Sequence, residues 1–213
     1  TWTIQRGDHL WGVAEATLAQ HLARSPTDAE ITPYWSRLIE TNRHRLIDPT
    51  NPDLVIAQCK AGVVGSFPAL NARPQELLDE WLHQITEELA AHTRDHPEAP
   101  AAPFAVNQIV HKSNNRWEED MVTCEKWQVP VIITSLGARE DLNAAVTKWG
   151  GVTMHDVIDD RFARKAIEKG ATGLIPVAAG AGGHAGRLSP FAIVQEIREW
   201  FDGPVALSGS IAN

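Results

Sequence analysis

The sequence predicts an α/β protein whose larger part is an incomplete (β/α) barrel. Three observations support this prediction: apolar runs of strand length alternate with helical patterns, turn-forming residues separate them, and glycine-rich segments follow the last two runs. Alternating strands and helices form a parallel sheet, and the regular spacing favours a (β/α) barrel over a doubly wound sheet. We count about five of the eight strand–helix units of a complete barrel.

Composition places the chain among globular proteins. Its 213 residues are 43% hydrophobic and 22% charged, and no apolar run approaches the length of a membrane span. The net charge of −8, with no basic stripe, argues against a nucleic-acid partner. Cys59 and Cys124 lie far apart and the nine histidines are scattered, so neither a disulfide framework nor a metal site is expected. No signal-like segment is evident, and we expect a cytoplasmic protein without membrane contact.

The first 53 residues are predicted to contain a short strand and two helices. The predicted elements are a strand at Thr1–Arg6, a helix at His9–Leu22 and a helix at about Thr32–Leu46. Asp8 is placed to cap the first helix, and Thr32 to cap the second, with Pro33 in its first turn. A cluster of turn-forming residues, Asp48–Pro52, follows.

Three segments of this region share the pattern of a known carbohydrate-binding module. They are Arg6–Trp11, Leu38–Asn42 and Asn51–Val55, and through them the region resembles a LysM module. The resemblance implies a strand–helix–helix–strand fold that binds N-acetylglucosamine polymers between its two strand–helix loops. It places the binding residues in those loops, at Gly7, Asp8, His9, Leu10, Asn51, Pro52 and Asp53. The chain departs from the family after Val55, where Ile56–Gly62 is predicted to be a helix with a glycine C-cap in place of the closing strand.

From about residue 54 onward, the chain is predicted to form the barrel domain. The predicted strands are Val63–Phe67, Phe104–Val110, Val129–Ser135, Gly151–His155, Ala171–Val177 and Val205–Ser208. The predicted helices are Pro74–Thr93, Arg116–Trp127, Arg139–Trp149, Asp159–Lys169 and Pro190–Phe201. A linker rich in proline and alanine occupies Asp95–Pro103. We therefore divide the chain into residues 1–53 and residues 54–213.

Glycine-rich and polar segments are expected at one rim of the barrel, where the carboxyl ends of the strands meet. Ala178–Gly186 joins a predicted strand to a helix and contains four glycines, so its amide groups can approach a phosphate closely. Ser208–Ser210 follows the next strand and offers amide and hydroxyl donors to the same phosphate. Asn107 and Gln108, at a strand end, can hydrogen-bond the edge of a flat heterocycle. His184, within the glycine loop, titrates close enough to neutral pH to act as a base.

Six segments of the barrel region match one enzyme family. They are Ala61–Phe67, Phe104–Gln108, Val129–Ser135, Gly150–Asp156, Gly182–His184 and Leu207–Ile211. With them the region resembles the nitronate monooxygenases, which are flavin mononucleotide (FMN) enzymes built on a TIM barrel. The resemblance implies that the FMN phosphate binds at two turns, formed by Ala181, Gly182, Gly183, Ser208, Gly209 and Ser210. It also implies that the flavin ring lies near Asn107 and Gln108 and that His184 is the catalytic base; some relatives have lysine where this chain has Asp156.

The leading functional hypothesis implied by this resemblance is the FMN-dependent oxidation of an alkyl nitronate by O2 to a carbonyl compound and nitrite. One alternative is a flavin-dependent enoyl-thioester reductase, because that group shares the Gly-Gly-His loop. Another is a protein that binds peptidoglycan or chitin through residues 1–53 at the cell surface and carries a non-catalytic barrel remnant. The family's opening strand and its last two strands have no counterpart in the chain, so we expect either a chimera or a truncated fusion.

Overall fold

Five parallel strands form one sheet, in the order in which they occur along the chain. The computed structural model describes residues 10–42, 51–182 and 185–209. The strands are β1 (Gly65–Pro68), β2 (Phe104–Ile109), β3 (Val131–Ser135), β4 (Val152–Val157) and β5 (Gly173–Pro176). Two isolated parallel bridges, Leu174 to Val205 and Val177 to Ser208, add a sixth segment beside β5. The predicted α/β fold with a partial TIM-type barrel is confirmed.

A segment that contains a helix joins each strand to the next. The helices of the described residues are α1 (Leu10–Leu22), α2 (Asp28–Asn42), α3 (Asp53–Lys60), α4 (Gln75–Asp95), α5 (Trp117–Lys126), α6 (Glu140–Lys148), α7 (Asp160–Glu168) and α8 (Pro190–Arg198). The chain divides into two compact units, Thr1–Asp48 and Pro49–Asn213. The first unit contains α1 and α2, and the second contains the sheet and α3–α8. No helix in the described ranges combines the length and the apolar character needed to cross a membrane.

The second helix begins four residues earlier than predicted. Thr27, not Thr32, precedes its first turn: the Thr27 carbonyl accepts from the Ile31 amide at 2.9 Å, and the Glu30 carboxylate accepts from the Thr27 amide at 2.9 Å. The carboxylate bond from Glu30 to the Thr27 amide is one half of a capping box, and with the first backbone bond of the helix it starts α2 before Pro33. Pro33 therefore lies inside α2 instead of in its first turn. The predicted strand at Thr1–Arg6 lies outside the described residues.

The helix predicted to replace the closing LysM strand is confirmed, but it starts earlier. α3 begins at Asp53, where the Asn51 side-chain oxygen accepts from the Asp53 amide at 3.0 Å. Asn51, Pro52 and Asp53, which the LysM resemblance places in a binding loop, instead lead into α3 of the second unit. The helix ends before Gly62, whose φ of +80° is the left-handed conformation expected after a helix C-terminus.

The two faces of the sheet differ in burial because alternate side chains of a strand point to opposite sides. On one face, Val106 and Ile132 are fully buried in the same core as Leu78 and Leu82 of α4. On the other face, residues such as Ile133 are only half-buried. In a closed barrel that second face lines the interior.

A buried ion pair connects α5 to the segment that follows β1. Asp120 is fully buried, and its Oδ1 accepts from Nη2 of Arg116 at 3.0 Å. Arg116 also donates to Gln75 Oε1 at 3.2 Å and to the Ala72 carbonyl at 2.9 Å. Burial raises the pKa of Asp120, and the contact with Arg116 opposes that rise. Arg116 therefore balances a carboxyl group that has no access to water.

Candidate phosphate and cofactor site

The glycine-rich loop follows β5 and is closed at its base by two backbone hydrogen bonds. The Gly186 amide donates to the Val177 carbonyl at 3.0 Å, and the Ala179 amide donates to the Leu188 carbonyl at 2.8 Å. These bonds bring the two arms of the loop together before the chain enters α8. Gly183 and His184 lie outside the described residues.

The second turn lies directly against this loop. Ser208 donates its amide to the Pro176 carbonyl at 2.9 Å and accepts from the Ala178 amide at 2.8 Å. Gly209 has a φ of +118°, and a Cβ built on it would lie 2.9 Å from the Ala178 oxygen and 3.0 Å from the Ala181 nitrogen. Only glycine permits so close an approach. The predicted adjacency of the two turns is therefore confirmed for their described residues; Ser210 lies outside them.

Four amide groups in these turns have no acceptor among the described residues: those of Gly180, Gly182, Ala185 and Gly209. Gly180 and Gly182 are exposed, and a Cβ added at Gly182 would meet nothing within 4 Å. Free amides grouped on adjacent glycine turns form a concave surface of partial positive charge, which suits an anion such as phosphate. The two turns therefore have the donors and the open space that a phosphate group needs.

The start of α8 contributes less to this surface than the sequence indicated. Pro190, the first residue of the helix, has no amide hydrogen, and the Ser189 hydroxyl oxygen accepts from the Ala192 amide at 3.2 Å. The helix is thus capped by its own serine side chain. The amides available to a phosphate are therefore those of the glycine turns and not those of the first turn of α8.

Asn107 and Gln108 are adjacent on β2 but lie on opposite faces of the sheet. Asn107 is half-buried on the open face, where its Nδ2 donates to Ser135 Oγ of β3 at 2.8 Å. Gln108 is fully buried on the helix-covered face, and its Nε2 lies 3.6 Å from Cys124 Sγ of α5. The structure therefore leaves only Asn107 of this pair on the face where a barrel holds its ligand.

His155 forms a pair with a residue that sequence analysis did not identify. β4 continues to Val157, two residues beyond its predicted end, so His155 lies within the strand and faces the helices. Its Nδ1 is 2.6 Å from Thr134 Oγ1 of β3, and the two residues are neighbours in the strand register. Burial lowers the pKa of His155, so the ring is neutral at pH 7. The register between β3 and β4 brings these two side chains together, and no local sequence motif indicates that register.

Metal-binding side chains do not form a group within the described residues. No three histidine, cysteine, aspartate or glutamate side chains in these ranges come together in a way that could hold a metal ion.

The fold resembles several solved structures over about three quarters of the chain. A structure of FabK from Thermotoga maritima is 22% identical, with a TM-score of 0.63, and the match covers 77% of this chain and 48% of that chain. A nitroalkane oxidase from Streptomyces ansochromogenes is 19% identical, with a TM-score of 0.59, and the match covers 74% of this chain and 54% of that chain. This chain thus spans about half the length of each, and at these identities the likeness shows the fold alone.

No protein-family model and no curated protein sequence matches the chain. The resemblance of residues 1–53 to a LysM module therefore stays a prediction. Of its proposed binding residues, Gly7, Asp8 and His9 lie outside the described residues, whereas Leu10 begins α1.

Proposed function

We propose that residues 54–213 belong to a flavin-dependent oxidoreductase that uses FMN. The observation that carries this proposal is the meeting of two glycine turns after β5 and beside Ser208, with free amides at Gly182 and Gly209. The absence of Cβ atoms at this point lets a phosphate group contact the backbone directly. Two such turns after neighbouring strand segments match the phosphate site that (β/α) barrels form from the loops of two consecutive units.

The chain supplies a polar group for the flavin ring as well as donors for its phosphate. Asn107 lies on the open face of the sheet, and its Nδ2 is engaged by Ser135 Oγ at 2.8 Å. This contact orients the side-chain amide and leaves Oδ1 as an acceptor for a ring N–H group. Gln108, which the family resemblance also implied, is directed away from this face and is not part of the proposal.

We further propose that the substrate is an alkyl nitronate, which reacts with O2 to give a carbonyl compound and nitrite. This proposal is supported by the resemblance of the glycine loop to nitronate monooxygenases and by the shared fold with a nitroalkane oxidase. Bound flavin would supply the redox chemistry. His184 is proposed to orient the anionic substrate; as the catalytic base that the family resemblance implies, it would take a proton only from a neutral nitroalkane, because a nitronate has already lost that proton.

The fold likeness to FabK favours a second candidate, the reduction of an enoyl thioester. This activity would use the same flavin site but would consume a reduced nicotinamide cofactor instead of O2. The two activities are therefore separable with one preparation of protein.

The test is to load the protein with FMN and assay both reactions. Nitrite release from propionate 3-nitronate in the presence of O2 would support the nitronate activity. Oxidation of NADPH that depends on crotonyl thioester, without nitrite release, would favour the second candidate. FMN binding with neither activity would reject both substrates while leaving the flavin site intact. A Gly209→Ala variant, which fills the space between the two turns, should lose either activity together with FMN.

A further inference from the structure

A pocket of about 410 Å³ lies at the carboxyl end of β4. It is bounded by the loop that follows β3, at Leu136, and by the first two turns of α7, at Phe162 and Lys165. Val157 and Ile158 complete its apolar wall. Three of these side chains remain exposed although they are large and apolar, with exposed fractions of 59% for Leu136, 42% for Ile158 and 40% for Phe162. Apolar side chains grouped around a cavity indicate a site for an apolar ligand group.

A single neutral donor or acceptor lies at the bottom of this pocket. His155 lines it and is only 6% exposed. Its Nδ1 is held by Thr134 Oγ1, which leaves Nε2 as the ring nitrogen that can serve a ligand in the pocket. Because burial lowers the pKa of His155, the ring adds hydrogen-bonding capacity without adding charge.

One cation lines the pocket, Lys165, and a second, Arg161, lies in a depression beside it. A shallow depression that shares Phe162 and Lys165 with the pocket also includes Arg161, whose guanidinium carbon lies 4.9 Å from the centre of the Phe162 ring. Arg161 and Lys165 are four residues apart on α7, so they repel each other on one side of the helix. Within the described residues neither has a carboxylate partner.

The neighbouring cations differ because they already have partners. Arg164 Nε contacts Asp160 Oδ2 at 2.7 Å, and Lys169 Nζ donates to the Ala138 carbonyl at 3.0 Å. Asp156 lines the pocket and Glu168 lines the depression. Neither carboxylate pairs with Arg161 or Lys165. An anion placed between those two cations would relieve their repulsion.

We propose that this pocket binds an amphipathic anion: an apolar chain or ring fills the cavity above His155, and a carboxylate or phosphate head contacts Lys165 and Arg161. The walls favour the apolar part through burial. The two cations, which have no carboxylate partner in the part of the chain that the structure describes, select the charge of the head. The pocket adjoins the glycine-rich loop, because Val177, whose carbonyl accepts from the Gly186 amide, also lines it. The charged contacts proposed here come from α7, which has no part in the proposed phosphate site, so binding of the anion can be tested without FMN.

The test is isothermal titration calorimetry of the full chain with octanoate, octyl phosphate and octylammonium. We expect one or both anions to bind and octylammonium to bind at least tenfold more weakly. The two anions separate a carboxylate ligand from a phosphate ligand. Lys165→Met keeps the aliphatic stem but removes the charge, and should weaken anion binding about fivefold, the size expected for a solvent-exposed ion pair. Lys148→Met, on the exposed surface at the far end of α6, is the matched control and should change affinity less than twofold.

A second variant tests the apolar part of the site. Octanoate should bind at least tenfold more tightly than butanoate because its four additional methylenes remove more apolar surface from water. Phe162→Ala should reduce that ratio, and the fold should be retained because Phe162 is 40% exposed. The proposal is overturned if octylammonium binds as tightly as octanoate, if Lys165→Met and Lys148→Met behave alike, or if neither anion binds at about 10 mM.

Discussion

Replacing Gly209 with alanine tests the contact between the two glycine turns. At a φ of +118° an alanine is strained, at a cost of about 1–3 kcal/mol. Its Cβ would also lie 2.9 Å from the Ala178 oxygen and 3.0 Å from the Ala181 nitrogen, closer than ordinary contact allows. Alanine restricts the unfolded chain and so returns about 0.4–1 kcal/mol. We expect the free energy of unfolding to fall by about 1–2 kcal/mol, which lowers the urea midpoint by roughly 0.5–1 M.

Equilibrium urea unfolding followed by far-ultraviolet circular dichroism measures this change, and hydrogen exchange of the Ala178 amide locates it. That amide donates to Ser208, so its protection should fall if the second turn moves away. Gly182→Ala is the matched control because an added Cβ there meets nothing within 4 Å; we expect it to change stability by less than about 0.5 kcal/mol. If the two variants unfold at the same urea concentration, the turns are not packed as described.

Two further substitutions test buried polar groups. Because burial lowers the pKa of His155, the unfolded chain takes up a proton below about pH 6.5 while the folded protein does not, so the stability contributed by this group is lost as the pH falls. Urea unfolding at pH 7 and at pH 5.5 measures this loss. The free energy of unfolding should fall between these pH values by up to about 1.3 kcal/mol more in the unsubstituted protein than in His155→Gln. An equal fall in both proteins would contradict a lowered pKa for His155. Arg116→Met leaves Asp120 buried without its partner and should lower the free energy of unfolding by about 3 kcal/mol. The exposed Arg139→Met should cost less than about 1 kcal/mol, and a similar cost for both would show that Arg116 does not balance a buried charge.

The sequence was sufficient to predict the strand–helix order. In α4, the helical spacing of the apolar residues predicts a single stripe of Leu77, Leu78, Trp81, Ile85 and Leu89; Leu77 is half-buried and the other four are buried. Periodicity predicts such helices well because one face must be apolar along the whole length. The predicted start of α2 was wrong because Pro33 was taken as the first-turn residue, although Thr27 and Glu30 have the spacing of a capping box and the Glu30 carboxylate caps the Thr27 amide.

The glycine turns of the candidate site could be predicted because glycine itself marks them in the sequence. The side-chain contacts of the site could not, because they depend on how the strands pair. The glycines near positions 180 and 209 predicted a close approach of the backbone to another group. In the structure the two turns lie directly against each other. By contrast, Gln108 was placed beside Asn107, although neighbouring residues of a strand must face opposite sides. The pairing of Thr134 with His155 depends on the register between β3 and β4, which a single sequence does not reveal.

The most direct test of the account compares FMN with riboflavin, which differ by the phosphate alone. The purified protein is incubated with each compound, separated from free ligand by gel filtration, and examined by visible absorption. We expect the protein to retain FMN but not riboflavin, and we expect Gly209→Ala to lose FMN, because an added Cβ there disturbs the contact between the turns. Retention of riboflavin to the same extent as FMN, or of neither compound, would contradict a phosphate site at these turns.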